Sequence, residues 1–270
     1  MAGNYDADFA RRLEQIEVEV NASVFDGTGG SDVGVELHRS GNTLARIDRS
    51  EGGVLNRVSS LGLIEPATED QLDAIVELYR RSGVKGVSVN VSPIAKPDLL
   101  DGWLEARGFK RGGNAAKIYR RAGNPRPVET NLRVAQVTAA NVADLAIALE
   151  DGFGMMRGRG AVVAAAAGKP GWRWFVAYDG EQPVAAGGLF AHEGVGWLGY
   201  GATIPSHRKR GAQGAIIAAR VAAAGEMGCE WVTSETAEDR PEAPVSSYHN
   251  MIRNGFELLF LRPAYSLKFE

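Results

Sequence analysis

The second half of the chain, from about residue 130 to residue 270, switches repeatedly between the two-residue hydrophobic period of strands and the longer period of helices. The pattern predicts, in chain order, a strand at 132–137, helices at 139–151 and 155–167, strands at 172–178, 182–190 and 195–204, a helix at 212–226, a strand at 229–236, a helix at 246–253 and a strand pair at 256–261 and 264–269. Asp179-Gly180 suits the tight turn of a hairpin. Interleaved strands and helices indicate an α/β fold.

The first half repeats part of this layout. Its pattern predicts helices at 6–24, 67–81 and 98–109 and strands at 33–37, 44–48, 54–61, 87–91 and 116–119. In both halves a late helix ends in Gly-Phe, at Gly108-Phe109 and at Gly255-Phe256, which are 147 positions apart (255 minus 108). An internal duplication explains this economically, and the alternative is an unrelated α/β domain with one shared helix end. With a linker at 122–127, the predicted domains are 1–123 and 124–270.

Composition narrows the class of protein. The 270 residues, 44% of them hydrophobic, suffice for two compact domains. A single cysteine excludes a disulfide framework, and the four scattered histidines lack the spacing of metal ligands, so no metal is expected. No apolar run approaches the roughly 18 residues of a membrane span and the N-terminus is polar, so we expect a cytoplasmic protein with no membrane partner. A net charge of −3 disfavours a nucleic-acid partner.

The most informative segment is the turn before the helix at 212–226. Pro205 ends the preceding strand, because proline has no N–H to give to a sheet. The next residues form a basic turn, and a helix then begins at Ala212. The first amides of a helix have no partner inside it and carry partial positive charge, so they can bind an anion. Gly211 and Gly214 add no Cβ, which lets a diphosphate approach the backbone, and Arg208 with its two basic neighbours supplies charge.

The turn Arg208-Lys209-Arg210-Gly211-Ala212-Gln213 resembles the Arg/Gln-x-x-Gly-x-Gly/Ala signature of the GNAT family of N-acetyltransferases, with Gln213 where the family has Gly or Ala. The segment 248–256 is similar to the family's late helix. The resemblance implies two GNAT-like domains, each a mixed, mostly antiparallel twisted sheet flanked by helices. The first domain has no basic Gly-containing turn between residues 54 and 68, so it is expected to be a degenerate copy without a cofactor site.

The resemblance also implies a function. The second domain would bind acetyl-CoA as co-substrate and transfer its acetyl group to a primary amine of a small molecule or peptide. The alternatives are transfer from a longer acyl-CoA, or a CoA-binding sensor or scaffold without turnover, and homodimer formation stays open. The implied cofactor-binding residues are Ala202, Thr203, Ile204, Arg208, Lys209, Arg210, Gly211, Ala212, Gln213, Gly214 and Asn250.

Acetyl transfer to an amine requires a base, because an alkyl ammonium has a pKa of about 10.4. Glu235, near the end of the strand after the basic helix, is the preferred candidate. Glu193 just before the motif strand, His192 and His207 are the alternatives, and His207 is expected to serve the diphosphate or to point to water.

The reaction also requires an acid for the departing sulfur and a donor to the thioester carbonyl. The resemblance places the acid at Met251, which cannot donate a proton, so Tyr248 one helical turn earlier is the candidate and Tyr200 its weaker rival. A backbone N–H near Gly201 or Ala202 can polarise the carbonyl.

Overall fold

The computed structural model describes residues 6–28, 34–50 and 55–269. The chain divides into two compact units, Met1–Lys117 with Leu259–Glu270, and Ile118–Leu258. These bounds differ from the predicted domains 1–123 and 124–270, because the end of the chain packs with the first unit. The predicted strand starts at Val33 and Val54 lie outside the described residues. No helix in the described ranges combines the length and the apolar character of a membrane span.

The helices and strands follow the predicted order closely. They are α1 (Ala7–Phe25), β1 (Val35–Ser40), β2 (Thr43–Asp48), β3 (Arg57–Ser59), α2 (Glu69–Arg81), β4 (Gly86–Asn90), α3 (Leu100–Ala106), β5 (Lys110–Arg121), β6 (Arg133–Gln136), α4 (Val142–Phe153), α5 (Arg159–Ala164), β7 (Trp172–Asp179), β8 (Gln182–His192), β9 (Val195–Thr203), α6 (Ala212–Glu226), β10 (Trp231–Ala237), α7 (Ser246–Arg253) and β11 (Glu257–Lys268).

In the first unit, β1, β2 and β3 pair antiparallel, β3 and β4 pair parallel, and the end of β11 pairs antiparallel with β4. The core lies against α2, whose inward residues are those that the 3.6-residue period predicts: Leu72, Ile75, Val76 and Tyr79. The Tyr79 hydroxyl donates to the carbonyl of Arg46, which ties α2 to β2.

In the second unit, β6, β7, β8 and β9 pair antiparallel in sequence order, and β9 pairs parallel with β10. α6 packs on β7, β8 and β9 through a buried apolar stripe, and α4 packs on β8 and β9. Within the described residues, each unit therefore has a parallel strand pair joined by a helix, β3–α2–β4 and β9–α6–β10. The predicted α/β class with a mixed, mostly antiparallel sheet flanked by helices is confirmed.

The Gly-Phe helix ends also match in three dimensions. Gly108 and Gly255 both have left-handed backbone, with φ of 85° and 84°. In each unit the phenylalanine N–H donates to the carbonyl five residues earlier, at 3.1 Å for Phe109 and 3.2 Å for Phe256. Glycine is favoured at such a cap because it has no Cβ. The shared cap and the shared parallel pair support the duplication.

Several predicted elements are wrong in extent. The strand predicted at 116–119 is the longer β5, and the helix predicted at 98–109 is the shorter α3. The final strand pair is one strand, β11, which runs through Pro263, whose carbonyl accepts from the N–H of Val91 at 2.9 Å. Proline is tolerated because the strand uses its carbonyl there. The predicted helix at 155–167 shortens to α5, because left-handed glycine at Gly158 delays its start.

Candidate functional site

The strand β9 contains a bulge. Gly188 of β8 faces Gly199, but Ala186 faces Ala202, so β9 has one residue more than β8 between these two pairs. Within the bulge Tyr200 has a φ of 54°, a left-handed conformation that is uncommon for a side chain of this size. Backbone strain of this kind is concentrated at functional sites, so the end of β9 is a candidate position for one.

The pairing between β9 and β10 stops just before the bulge. Their last paired residues are Trp197 and Thr233, although β9 continues to Thr203 and β10 to Ala237. Beyond that pair, the hydroxyl of Ser234 donates to the carbonyl of Leu198 at 2.7 Å, so a side chain replaces the strand-to-strand bond.

The helix α6 begins immediately after this strand end. Its N-cap is Gly211, with a φ of 82°, and no side chain caps the helix. Within the described residues, the backbone amides from Gly211 to Gly214 have no hydrogen-bond partner, and the first turn carries no acidic residue. Arg208 and Lys209 are exposed beside these amides. The arrangement provides unpaired donors and positive charge, as an anion requires.

A carboxylate orders the basic turn. Oδ2 of Asp179, at the β7–β8 hairpin, lies 2.8 Å from Nη1 of Arg210 and 3.1 Å from Nε2 of His207. The Arg210 hydrogen bond, followed by that of His207, lowers the pKa of Asp179. The structure therefore places His207 in a contact that anchors the turn and not beside the bulge. The guanidinium of Arg208 lies nearer the strand end, 3.4 Å from the carbonyl of Thr203.

The structure shows that Gly211 and Gly214 are required for a different reason from the predicted one. A Cβ on Gly211 would lie 2.8 Å from the carbonyl oxygen of Glu129, and one on Gly214 would lie 3.0 Å from Cγ1 of Val128. The sequence reasoning assigned this space to a diphosphate, but the protein's own segment 128–130 fills it. A ligand at α6 would contact the amides and not the Cβ side of these glycines.

Gln213 links the start of α6 to the end of β9. Its Nε2 donates to the carbonyl of Ala202 at 2.7 Å and to Oγ1 of Thr203 at 2.9 Å. Ile204 is buried beside them. The structure thus brings Gln213, Ala202 and Thr203 together. The unusual glutamine donates a hydrogen bond to the backbone carbonyl of Ala202 at the strand end.

The candidate bases separate into two groups. Glu235 is half-buried on β10, two residues beyond the last β9–β10 pair, and so lies level with the start of the bulge. Glu193 and His192 lie at the opposite end of β9, in and next to the β8–β9 hairpin. At about 3.3 Å per residue, β9 places about 26 Å between them and the basic turn. Glu193 and His192, two of the alternative bases, therefore lie far from the diverging strand ends.

The late helix α7 packs against α6 and β10. Met251 is buried and faces this core, whereas Tyr248 is half-buried with its ring centroid 6.2 Å from that of His249. The side-chain oxygen of Asn250 accepts from Arg253 at 2.6 Å. Tyr248 thus lies outside the buried core of the unit, and Asn250 already has one protein partner.

Sequence reasoning missed two residues of this region. Asp179 has no local signal, because its partners follow 28 and 31 positions later. Arg220 does have one: it lies four residues after Ile216 and four before Ala224, on the apolar stripe of α6, where a charged residue is out of place. No cluster of three or more His, Cys, Asp or Glu suited to a metal ion occurs in the described part of the chain.

Comparison with known proteins supports the fold. No protein-family model and no curated protein matches the sequence. Among solved structures, a GCN5-related N-acetyltransferase from Kribbella flavida has a TM-score of 0.62 at 15% identity, covering 94% of this chain and 95% of that chain. One from Sphaerobacter thermophilus has a TM-score of 0.58 at 12% identity, covering 98% and 94%. A tandem GNAT protein from the clavulanic acid biosynthesis pathway has a TM-score of 0.57 at 14% identity, covering 99% and 97%. The predicted GNAT-like fold is confirmed over nearly the whole chain.

Proposed function

We propose that the protein is a GNAT-type N-acetyltransferase whose second unit binds acetyl-CoA and transfers the acetyl group to a primary amine of a small molecule or peptide. One observation carries the proposal: the uncapped N-terminus of α6 directly follows a strand that bulges and leaves its parallel neighbour. The amides from Gly211 to Gly214 would hold the diphosphate, with Arg208 and Lys209 neutralising its charge. Acetyl-CoA would supply an activated acyl group as a thioester.

The residues around the bulge fit the proton transfers that this reaction needs. Glu235 lies at the level of the bulge and would accept a proton from the amine nitrogen. The backbone between Tyr200 and Ala202 would donate to the developing negative charge on the acyl oxygen. Tyr248 on α7 would give a proton to the departing sulfur.

The first unit differs from the second at the corresponding helix, which supports a single cofactor site per chain. The hydroxyl of Thr68 accepts from the N–H of Gln71 at 3.1 Å and so caps α2. Glu69 and Asp70 add two negative charges to its first turn. A side-chain cap and like charge both oppose a diphosphate at this helix end.

In the first unit, side chains also fill the space at the end of the parallel pair β3–β4. Buried charges converge there: Nζ of Lys117 lies 2.6 Å from Oε1 of Glu17, and Arg262 contacts both Glu17 and Glu14 at 3.0 to 3.3 Å. Burial raises the pKa of Glu14, whereas for Glu17 the two cations overcome burial and lower the pKa. The cavity that remains beside them measures about 10 Å³, room for one water molecule at most.

Calorimetric titration of the whole chain with CoA tests the binding step. We expect one equivalent per chain. Two equivalents would contradict the assignment to the second unit alone, and absence of binding would refute the proposed function. Arg208→Ala is the variant at the turn, and Arg173→Ala is the matched control, because Arg173 lies on β7 and pairs with Glu226 at 2.6 Å at the far end of α6.

Consumption of acetyl-CoA with a panel of primary amines tests turnover. Consumption that depends on one amine, with release of free thiol, supports acetyl transfer. Faster reaction with a longer acyl-CoA would show that this compound, and not acetyl-CoA, is the acyl donor. Tight CoA binding without consumption of any acyl-CoA would indicate a sensor or scaffold.

A further inference from the structure

Arg220, in the middle of α6, carries a buried charge. The side chain is 1% exposed, and among the described residues no carboxylate pairs with it. Burial lowers the pKa of Arg220 to about 9, which still leaves the guanidinium charged at pH 7. A buried cation without a counter-charge is strongly unfavourable unless hydrogen bonds replace its hydration. The partners of Arg220 should therefore show what the charge does.

These partners are the two strands at the bulge. Nη1 of Arg220 donates to the carbonyl of Gly188 at 3.1 Å and to that of Gly199 at 3.0 Å, and its Nε donates to Ile216 within α6 at 3.2 Å. Gly188 and Gly199 are the last facing pair before the extra residue of β9. A Cβ on Gly187 would lie 2.8 Å from Cζ of Arg220, so the glycine provides the space for the guanidinium.

An aromatic cluster holds the bulge from the other side of the sheet. The ring centroid of Tyr200 lies 5.4 Å from that of Trp174 and 5.7 Å from that of Trp197. Successive strand residues point to opposite faces: Gly187 faces Arg220, and a Cβ on Gly188 would lie 2.7 Å from the ring of Trp174. The left-handed backbone of Tyr200 thus has a hydrogen-bonded support on one face and a packed support on the other.

The carbonyl that Arg220 binds also sets the direction of the next amide. The peptide bond between Gly199 and Tyr200 is trans and planar, so the N–H of Tyr200 points away from the carbonyl of Gly199. Because that carbonyl is directed at the guanidinium, the orientation of the first amide in the bulge depends on Arg220.

We propose that Arg220 is a positioning residue, which fixes the bulge of β9 in the shape that the acyl-transfer site uses. The part of this inference that concerns catalysis rests on the proposed function, and the part that concerns the bulge does not. Arg220 acts through the carbonyls of Gly188 and Gly199 and makes no contact with substrate.

Hydrogen exchange on the ligand-free chain tests the structural part. Arg220→Met keeps the length of the side chain but removes its charge and donors, and Arg220→Lys keeps the charge with a single nitrogen. Val221→Ala is the matched control, because Val221 is fully buried on the same helix and its side chain is apolar, with no hydrogen-bonding atom to lose. We expect Arg220→Met to speed exchange at 199–203 by about tenfold or more relative to Val221→Ala, with equal exchange in β7.

Equal exchange at 199–203 in the Arg220 and Val221 variants would overturn the proposal. If Arg220→Met does not fold, Arg220→Lys is compared with the same control and the same outcome decides.

A kinetic readout separates positioning from general packing. In Arg220→Lys we expect kcat to fall by about 10²-fold while CoA affinity stays within about threefold, because only the bulge amides act on the reacting carbonyl. Unchanged kcat in a variant with faster exchange would overturn the catalytic part. Wild-type protein that binds no CoA would refute the proposed function and leave the exchange result standing.

Discussion

Gln213→Glu should convert the proposed anion-binding end of α6 into the type of helix end found in α2. The glutamine occupies the second position of the helix and donates to the carbonyl of Ala202 at 2.7 Å. A carboxylate cannot donate to that carbonyl, so it must turn away and place a negative charge beside the uncapped amides. The variant thus resembles α2, where Asp70 holds the same position.

The size of the effect follows from charge and distance. We take about 5.4 Å, the length of one helical turn, as the distance between the new carboxylate and a ligand charge at the helix end. With an effective dielectric constant of about 20, two like unit charges at that distance repel by about 3 kcal/mol. This repulsion corresponds to a loss of about 10²-fold in CoA affinity. The lost hydrogen bond of Gln213 contributes only about 1 kcal/mol to stability, and a negative charge at a helix N-terminus offsets part of that.

Gln213→Met is the control, because it has a similar length, loses the same hydrogen bonds and adds no charge. Calorimetric titration with CoA should show the affinity ordered wild type, then Met, then Glu, with the gap between the two variants shrinking as salt rises. Equal affinity of the two variants in low salt would show that the ligand's negative charge does not lie at the start of α6.

Three further predictions concern the same unit. Arg208→Ala should weaken CoA binding by about 1 to 3 kcal/mol in calorimetry, the range for a charge-assisted hydrogen bond, and unchanged affinity would remove Arg208 from the site. Tyr248→Phe should lower turnover by about 10²-fold with CoA affinity unchanged, whereas a wild-type rate would leave Tyr248 a packing residue. Arg210 and His207 lower the pKa of Asp179, so this contact stabilises the fold above the ordinary Asp pKa of about 3.9 and is lost as pH falls through the lowered value. The melting-temperature gap between wild type and Asp179→Asn should be present at pH 6 and vanish in acid, and a gap that persists there would contradict the ion contact.

The sequence by itself determined the order and the kind of nearly all elements. Helical and strand periods are local properties, so α2, α6 and α7 and the β7–β8 hairpin could be located from the spacing of their apolar residues. The same holds for the basic turn at the start of α6 and for the Gly-Phe helix ends, because each depends on residues a few positions apart.

The tertiary structure alone decided what lies far apart in sequence. Nothing in the pattern of 256–269 shows that the end of the chain packs with the first unit, since a strand's neighbours depend on where the whole chain returns. Segment 128–130 and Asp179 reach the basic turn from positions 28 to about 85 residues away. The bulge arises from a one-residue mismatch between two strands. The apolar stripe of α6 shows that Arg220 is a charge out of place, but its partners are the carbonyls of Gly188 and Gly199. Backbone carbonyls are identical in every residue type, so the sequence does not show which of them Arg220 binds.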